Sequence, residues 1–152
     1  MVPEARRIST LPPDIEALRR KASAEGHDLV SRLVGEWTAG INRFDREGEA
    51  LVEVRCGHEL SAIGGLNIDP YLADPSVGRI RHVYVDPERR RAGVGRLLIE
   101  TLVDLADGRF ERVRLRSVRA GGPPFYESLG FVPTDEAEAT HLIWLRGHTA
   151  AQ

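Results

Sequence analysis

Apolar and polar positions change their period several times along the chain, and each change predicts an element. Residues 5–10 suit a short strand, after which Pro12, Pro13 and Asp14 give the proline-and-acid opening of a helix. Ile15, Leu18 and Ala22 share one face of that helix, and Gly26 is its natural stop. Leu29, Leu33 and Trp37 recur at four-residue intervals and predict a second helix ending before Gly40. The first third therefore reads as a helical pair.

Past a polar, glycine-containing loop at 42–48 the period shortens to two. Ala50, Val52 and Val54 alternate with Glu49, Leu51, Glu53 and Arg55, the pattern of a half-buried strand. Cys56, Gly57 and His58 make a turn into a second strand from Glu59 to Leu66, which gives a hairpin. Asn67 to Gly78, with two prolines and two aspartates, predicts a surface loop whose Asp69 and Asp74 could attract a cationic amine. Arg79 to Val85 is a third strand of this section, closed by Asp86 and Pro87 because proline cannot donate to a sheet ladder.

From Val94 the period lengthens again: Val94, Leu97, Leu98, Thr101, Leu102 and Leu105 fit one helical face, and Gly108 ends it. Val113 and Leu115 alternate with Arg112, Arg114 and Arg116, a strand whose arginines turn to solvent. Those arginines could instead meet an acidic substrate or a phosphate. Gly121, Gly122, Pro123 and Pro124 lead to a short helix over Phe125–Leu129, and His141–Arg146 is the final strand. This order predicts one α+β (mixed α/β) domain over residues 1–152, built on a mixed sheet.

Composition narrows the function classes. A chain of 152 residues, 41% hydrophobic, can bury a single core. Its net charge of −2 offers no general attraction to nucleic acid or anionic lipid. The lone Cys56 cannot form an internal disulfide, and no zinc-type cysteine spacing is present, so no metal is expected. The opening MVPEARRIST lacks the apolar stretch of a signal peptide, and no run approaches the roughly 20 apolar residues of a membrane span. A cytoplasmic protein without membrane or nucleic-acid partners is the expectation.

The stretch Val83-Tyr84-Val85-Asp86-Pro87-Glu88-Arg89-Arg90-Arg91-Ala92-Gly93-Val94-Gly95-Arg96 carries the chemistry. A strand stops, a basic loop follows, and two glycines open an amphipathic helix. The first turn of a helix leaves backbone N–H groups unpaired at the positive end of the macrodipole, which suits an anion. Glycine at 93 and 95 lets a phosphate approach the backbone without meeting a Cβ. No GxxxxGK[ST] is present, and Leu98 stands where a dinucleotide fingerprint needs its third glycine.

Arg90-Arg91-Ala92-Gly93-Val94-Gly95 resembles the Arg/Gln-x-x-Gly-x-Gly/Ala signature of the GNAT acyltransferases, and Phe125-Tyr126-Glu127-Ser128-Leu129-Gly130-Phe131 resembles their FYExLGF segment. The resemblance implies a central sheet of six to seven strands flanked by about four helices. It implies acetyl-CoA as acyl donor, an amine of a small molecule or peptide as acceptor, and direct transfer without a covalent enzyme intermediate. By this likeness Val83, Tyr84 and Val85 pair with the pantetheine arm, and Arg90, Arg91, Ala92, Gly93, Val94, Gly95 and Arg96 wrap the pyrophosphate. Ser117 stands where many members carry an asparagine near the donor. A homodimer and a non-catalytic domain that senses acyl-CoA are both compatible with the same motifs.

Three catalytic tasks follow: positioning, stabilising a developing oxyanion, and moving two protons. The Val85 N–H is the candidate oxyanion donor. Tyr126 is the candidate acid for the leaving thiolate, against the alternative of an aromatic that only packs the helix on the sheet. Phe125 and Phe131 read as core. His82 is the candidate base, against a plain surface or core histidine, with Glu53, Asp69 and water as further candidates.

Overall fold

A computed structural model describes residues 2–146. They form β1 (Pro3–Ile8), α1 (Ile15–Ala24), α2 (Leu29–Thr38), β2 (Ala50–Cys56), β3 (Glu59–Ile68), β4 (Val77–Val85), α3 (Val94–Ala106), β5 (Arg112–Leu115), α4 (Gly122–Ser128), β6 (Val132–Pro133) and β7 (His141–Trp144). The seven strands make one sheet in the order β1-β2-β3-β4-β5-β7-β6. Only β4 and β5 run parallel; the other neighbours are antiparallel. The expected mixed sheet and four helices are both present in this α+β fold.

Helices cover both faces of the sheet. Leu98, Ile99 and Leu102 of α3 pack on Val52, Val54, Leu66, Ile80 and Val113. On the opposite face Ile15, Leu18, Val30 and Leu33 of α1 and α2 pack on Leu51, Ile63 and Tyr84. For this reason β2 is not half-buried as its alternation suggested. Every residue of it except Arg55 is buried, and Leu51, read as a solvent position, belongs to the second core.

Tertiary hydrogen bonds move several element boundaries. β1 starts at Pro3 rather than residue 5 because it pairs along the whole of β2, from Pro3–Cys56 to Ile8–Leu51. The loop expected over 67–78 shrinks to 69–76. Glu49 accepts from the Ile68 N–H at 2.9 Å and from Asn67 at 3.1 Å, and Asp69 N–H continues the ladder to Val77 O. α4 begins at Gly122 rather than Phe125. Gly121 takes the left-handed conformation (φ 84°) that opens the helix, the two prolines fit its first turn, and a Cβ on Gly122 would collide with Ser117 Oγ. β7 stops at Trp144 rather than Arg146, and the two-residue β6 was not foreseen.

The arginine row of β5 is not a solvated face. Arg114 is wholly buried: its Nε donates to Asp69 Oδ2 at 2.9 Å and its Nη1 to Glu136 Oε1 and the Ala137 carbonyl at 3.1 and 3.0 Å. Arg79 reaches the same Asp69 oxygen at 3.4 Å. Asp69, read from sequence as an acceptor-attracting loop residue or base, is itself buried between two guanidiniums and also accepts from the Tyr71 N–H. Only Arg116 of the row stays exposed. Among the described residues no helix is long and apolar enough to cross a membrane, and no cluster of metal-ligating side chains is present.

Candidate active site

The parallel strands β4 and β5 pair at only three positions, Val77–Arg112, Gly78–Val113 and Arg79–Arg114. Beyond them β4 runs on through residues 80–85 with no strand on that side, so a gap opens in the middle of the sheet. Within this stretch the register against β3 shifts between Ile63–Tyr84 and Gly65–Arg81, which inserts one extra residue into β4 at His82–Val83. His82 takes a left-handed φ of 57° there. Ile80 faces α3, and the bulge then turns both Arg81 and His82 to the α2 face, as their contacts with Asn67 and Glu36 record.

The Asp86 N–H bonds Ser61 O at 2.8 Å, so Asp86 sits at a hydrogen-bonded position of the β3–β4 ladder. Antiparallel alternation then turns the N–H and C=O of Val85 away from β3, into the gap. The Val85 N–H is the group named from sequence as candidate oxyanion donor. The Val85 side chain faces α3, where a Cβ on Gly95 would stand 3.5 Å from Val85 Cγ2 and 3.4 Å from Phe125 Cζ. The end of β4, the start of α3 and α4 thus converge on one point.

The loop entering α3 is held in place by three ion-paired anchors. Lys21 of α1 donates to Asp86 at 2.6 Å and Glu88 at 2.9 Å, Arg89 bonds Glu59 at 3.0 Å, and Arg90 grips Glu25 through two 2.8 Å bonds. The Arg90 hydrogen bonds, with one from the Tyr84 hydroxyl, hold the Glu25 carboxyl down at about 2. Arg90, expected on phosphate, is therefore engaged in fixing the loop. Arg91 and Ala92 are exposed and Arg91 has a left-handed φ of 66°. Gly93 opens α3 at φ 79°, and nothing lies within 4 Å of where its Cβ would be. Val94 is buried, while Arg96 is exposed and only loosely paired with Glu100 at 3.6 Å.

Across the gap, Tyr126 lies in α4 with its ring edge-on to Phe125 and Phe131, at centroid distances of 5.1 and 5.7 Å. Burial raises its hydroxyl to about 12, so it stays protonated at neutral pH. Phe131 is buried core and Phe125 is partly buried. Ser117 is half-buried just past β5, and its N–H donates to Thr140 Oγ1 at 2.8 Å. Thr140 Oγ1 lies 2.9 Å from His141 Nδ1, whose Nε2 is 2.8 Å from Glu127 of α4. This chain of contacts, not foreseen from sequence, ties the Tyr126 helix to the segment past β5 that bears Ser117.

His82 is buried, and neither ring nitrogen has a hydrogen-bond partner. Burial, and next the positive charge of Arg81, lower it to about 4 despite Glu36 at 3.7 Å, so the ring is neutral at pH 7. Tyr84 sends its side chain to the helical pair, where its hydroxyl donates to Glu25 at 2.5 Å; burial first, and this bond next, raise it above its ordinary value. Glu53 drops out as a base because it is on β2, two strands from the gap, and is paired with Arg55 at 3.0 Å. A cavity of about 340 Å³ between α1 and the β2–β3 turn draws no lining residue from β5, α3 or α4.

The acetyltransferase (GNAT) domain model matches residues 47–133. A protein of Exiguobacterium sp. 255-15 assigned to the acetyltransferases is 30% identical, with a TM-score of 0.86 over 100% of this chain and 99% of its own. A GNAT-family protein of Desulfovibrio desulfuricans shares the fold at 20% identity and a TM-score of 0.72, over 94% of this chain and 99% of its own. N-acetylglutamate synthase of Neisseria gonorrhoeae, solved with coenzyme A and L-arginine, shares it at 16% identity and a TM-score of 0.65, over 95% of this chain and 33% of its own. No curated protein sequence matches. The motif pair, the split sheet and these likenesses agree: the chain belongs to the GNAT acetyltransferase family.

Proposed function

We propose that the whole chain acts as a single cytoplasmic acetyl-CoA-dependent N-acetyltransferase, with the amine of a small molecule or peptide as acceptor. The unpaired edge of β4 at Val85, beside the glycine-opened N-terminus of α3, carries this reading. Backbone groups of Val83, Tyr84 and Val85 hold the pantetheine arm, and Ser117 bonds it from the opposite wall. The N–H groups from Ala92 to Gly95, with Arg91 and Arg96, hold the pyrophosphate, and Arg90 fixes their loop through Glu25.

In the transfer, the Val85 N–H stabilises the negative charge that develops on the thioester oxygen. His82 takes a proton from the amine as the carbon–nitrogen bond forms, with Glu36 beside it to stabilise the imidazolium. Tyr126 returns a proton to sulfur as the carbon–sulfur bond breaks, and bulk water resets both groups.

CoA in hundredfold excess over its Kd should stabilise the fold by about 2.7 kcal/mol and raise Tm. Gly93→Glu should abolish that rise by placing bulk and negative charge at the phosphate position. An unchanged rise in the variant would put the pyrophosphate elsewhere. Thiol release on adding an amine tests turnover directly; CoA binding with no release for any amine would leave an acyl-CoA-sensing domain instead.

A further inference from the structure

Resting on the acetyl-transfer reading above, we propose that the acceptor carries a carboxylate, received by Arg81 and Arg116 at the point where β4 and β5 part. Arg79 and Arg114 form the last pair of the parallel ladder. Two residues further along each strand stand Arg81 and Arg116, on the same face as that pair and on opposite sides of the gap. That face is the one turned away from α3, since Ile80, Val113 and Leu115 all point to the α3 core.

The four guanidiniums are not equivalent. Arg79 and Arg114 are buried and neutralised by Asp69 and Glu136. Arg81 meets only the neutral Asn67 side chain, at 3.5 Å, and Arg116 reaches Glu138 only at 3.9 Å, with both of those side chains half-exposed. Two cations with weak partners therefore flank the opening.

A second feature points to the same ligand. Beside these two arginines, the fully buried Arg114 Nη2 and both ring nitrogens of the buried His82 have no hydrogen-bond partner. Buried polar atoms are almost always satisfied in a folded protein; Arg89 and Arg112 each leave one buried nitrogen unpaired too, but His82 leaves its whole ring so on the strand edge that borders the gap, which points to a polar group bound there in use. The guanidiniums set the sign of that group, because they match a carboxylate in geometry as well as charge, whereas the neutral His82 ring offers one donor and one acceptor. The acids nearby, Glu36 at 3.7 Å from His82 and Glu138 beside Arg116, suit the ammonium end of the same acceptor. The acceptor is thus an amine with a carboxylate, as in an amino acid or the end of a peptide. The donor phosphates are a poorer match, because they are assigned to the N-terminus of α3 on the other face.

The test compares acceptors that differ only in that group. Glycine, alanine and leucine are measured by thiol release against their α-amides and against putrescine. Acids should exceed amides at least tenfold in kcat/KM. Arg116→Gln should remove most of that advantage through KM; Arg81→Gln should do the same, on top of a change common to acids and amides from losing its charge beside His82. Turnover with amides or putrescine equal to that with acids overturns the inference while the acetyltransferase reading stands. A readout independent of turnover is calorimetric binding of N-acetylglycine, N-acetylalanine and N-acetylleucine to the CoA-loaded protein. At least one should bind tenfold more tightly than its amide, and equal affinities throughout overturn the inference even if the chain is inactive. If the two variants instead weaken CoA but not dephospho-CoA, the arginines serve the donor's phosphate and the inference also fails.

Discussion

His82→Asn isolates the energetic consequence of burying a neutral histidine at the β4 bulge. Asparagine tolerates the left-handed φ of 57° better than most residues, so the substitution removes the titration with little added backbone strain. In the folded protein the ring is lowered to about 4 by burial and by Arg81, with Arg32 acting in the same sense and Glu36 opposing. Unfolded histidine titrates near 6.5. The unfolded chain therefore binds a proton between these values that the folded chain refuses, and stability falls as pH drops. The loss is small at pH 7, about 2 kcal/mol at pH 5 and about 3 kcal/mol at pH 4, then levels off once both states are protonated. Glu25, held at about 2, loses its contribution in a lower window, so the two effects separate. Urea denaturation from pH 7.5 to 4 should give a steeper decline for the wild type than for His82→Asn, by about 2 kcal/mol between pH 7 and 5. Parallel declines would mean that the imidazole takes up its proton in the folded state, through Glu36 or water.

Two further substitutions address the site and its foundation. Tyr126→Phe keeps the ring contacts with Phe125 and Phe131 and should lower kcat by roughly 10²-fold to 10⁴-fold while acetyl-CoA binding holds. Turnover within about threefold of wild type, with chemistry rate-limiting, would make the tyrosine structural. Asp69→Asn removes the buried one of Arg114's two carboxylate partners, leaving the part-exposed Glu136, and should cost about 3–5 kcal/mol in urea denaturation; a loss below about 1 kcal/mol would show that Glu136 alone neutralises Arg114.

What could be read from sequence was what depends on neighbours in the chain. The Gly93–Gly95 turn and the FYESLGF helix are local, because a phosphate needs adjacent N–H groups and a helix needs its own periodicity. What could not be read depends on partners far along the chain. Arg90 meets Glu25 from 65 positions away and Arg114 meets Asp69 from 45 away. Alternation at Arg112, Arg114 and Arg116 gave the correct strand but could not tell that residues 136–138 fold over one face, so a buried network passed for a solvated one. The bulge at His82 was equally hidden, since an extra residue exists only relative to the register of β3.

That buried network also explains why the sheet opens where it does. If β4 and β5 kept their register, the next same-face pair after Arg79–Arg114 would be Arg81 against Arg116. The first pair is tolerated because Asp69 lies between the guanidiniums and Glu136 backs Arg114. No buried acid stands between the second pair, and like charges directly opposite on a sheet destabilise it. The bulge at His82 then increases the local twist of β4 and carries it further from β5. Separation leaves the N–H of Val85 without a strand partner, and a backbone group that burial would penalise becomes available to a ligand. Arg81 and Arg116 stand on either side of that parting, and their partners there are weak: the neutral Asn67 for one and Glu138 at 3.9 Å for the other.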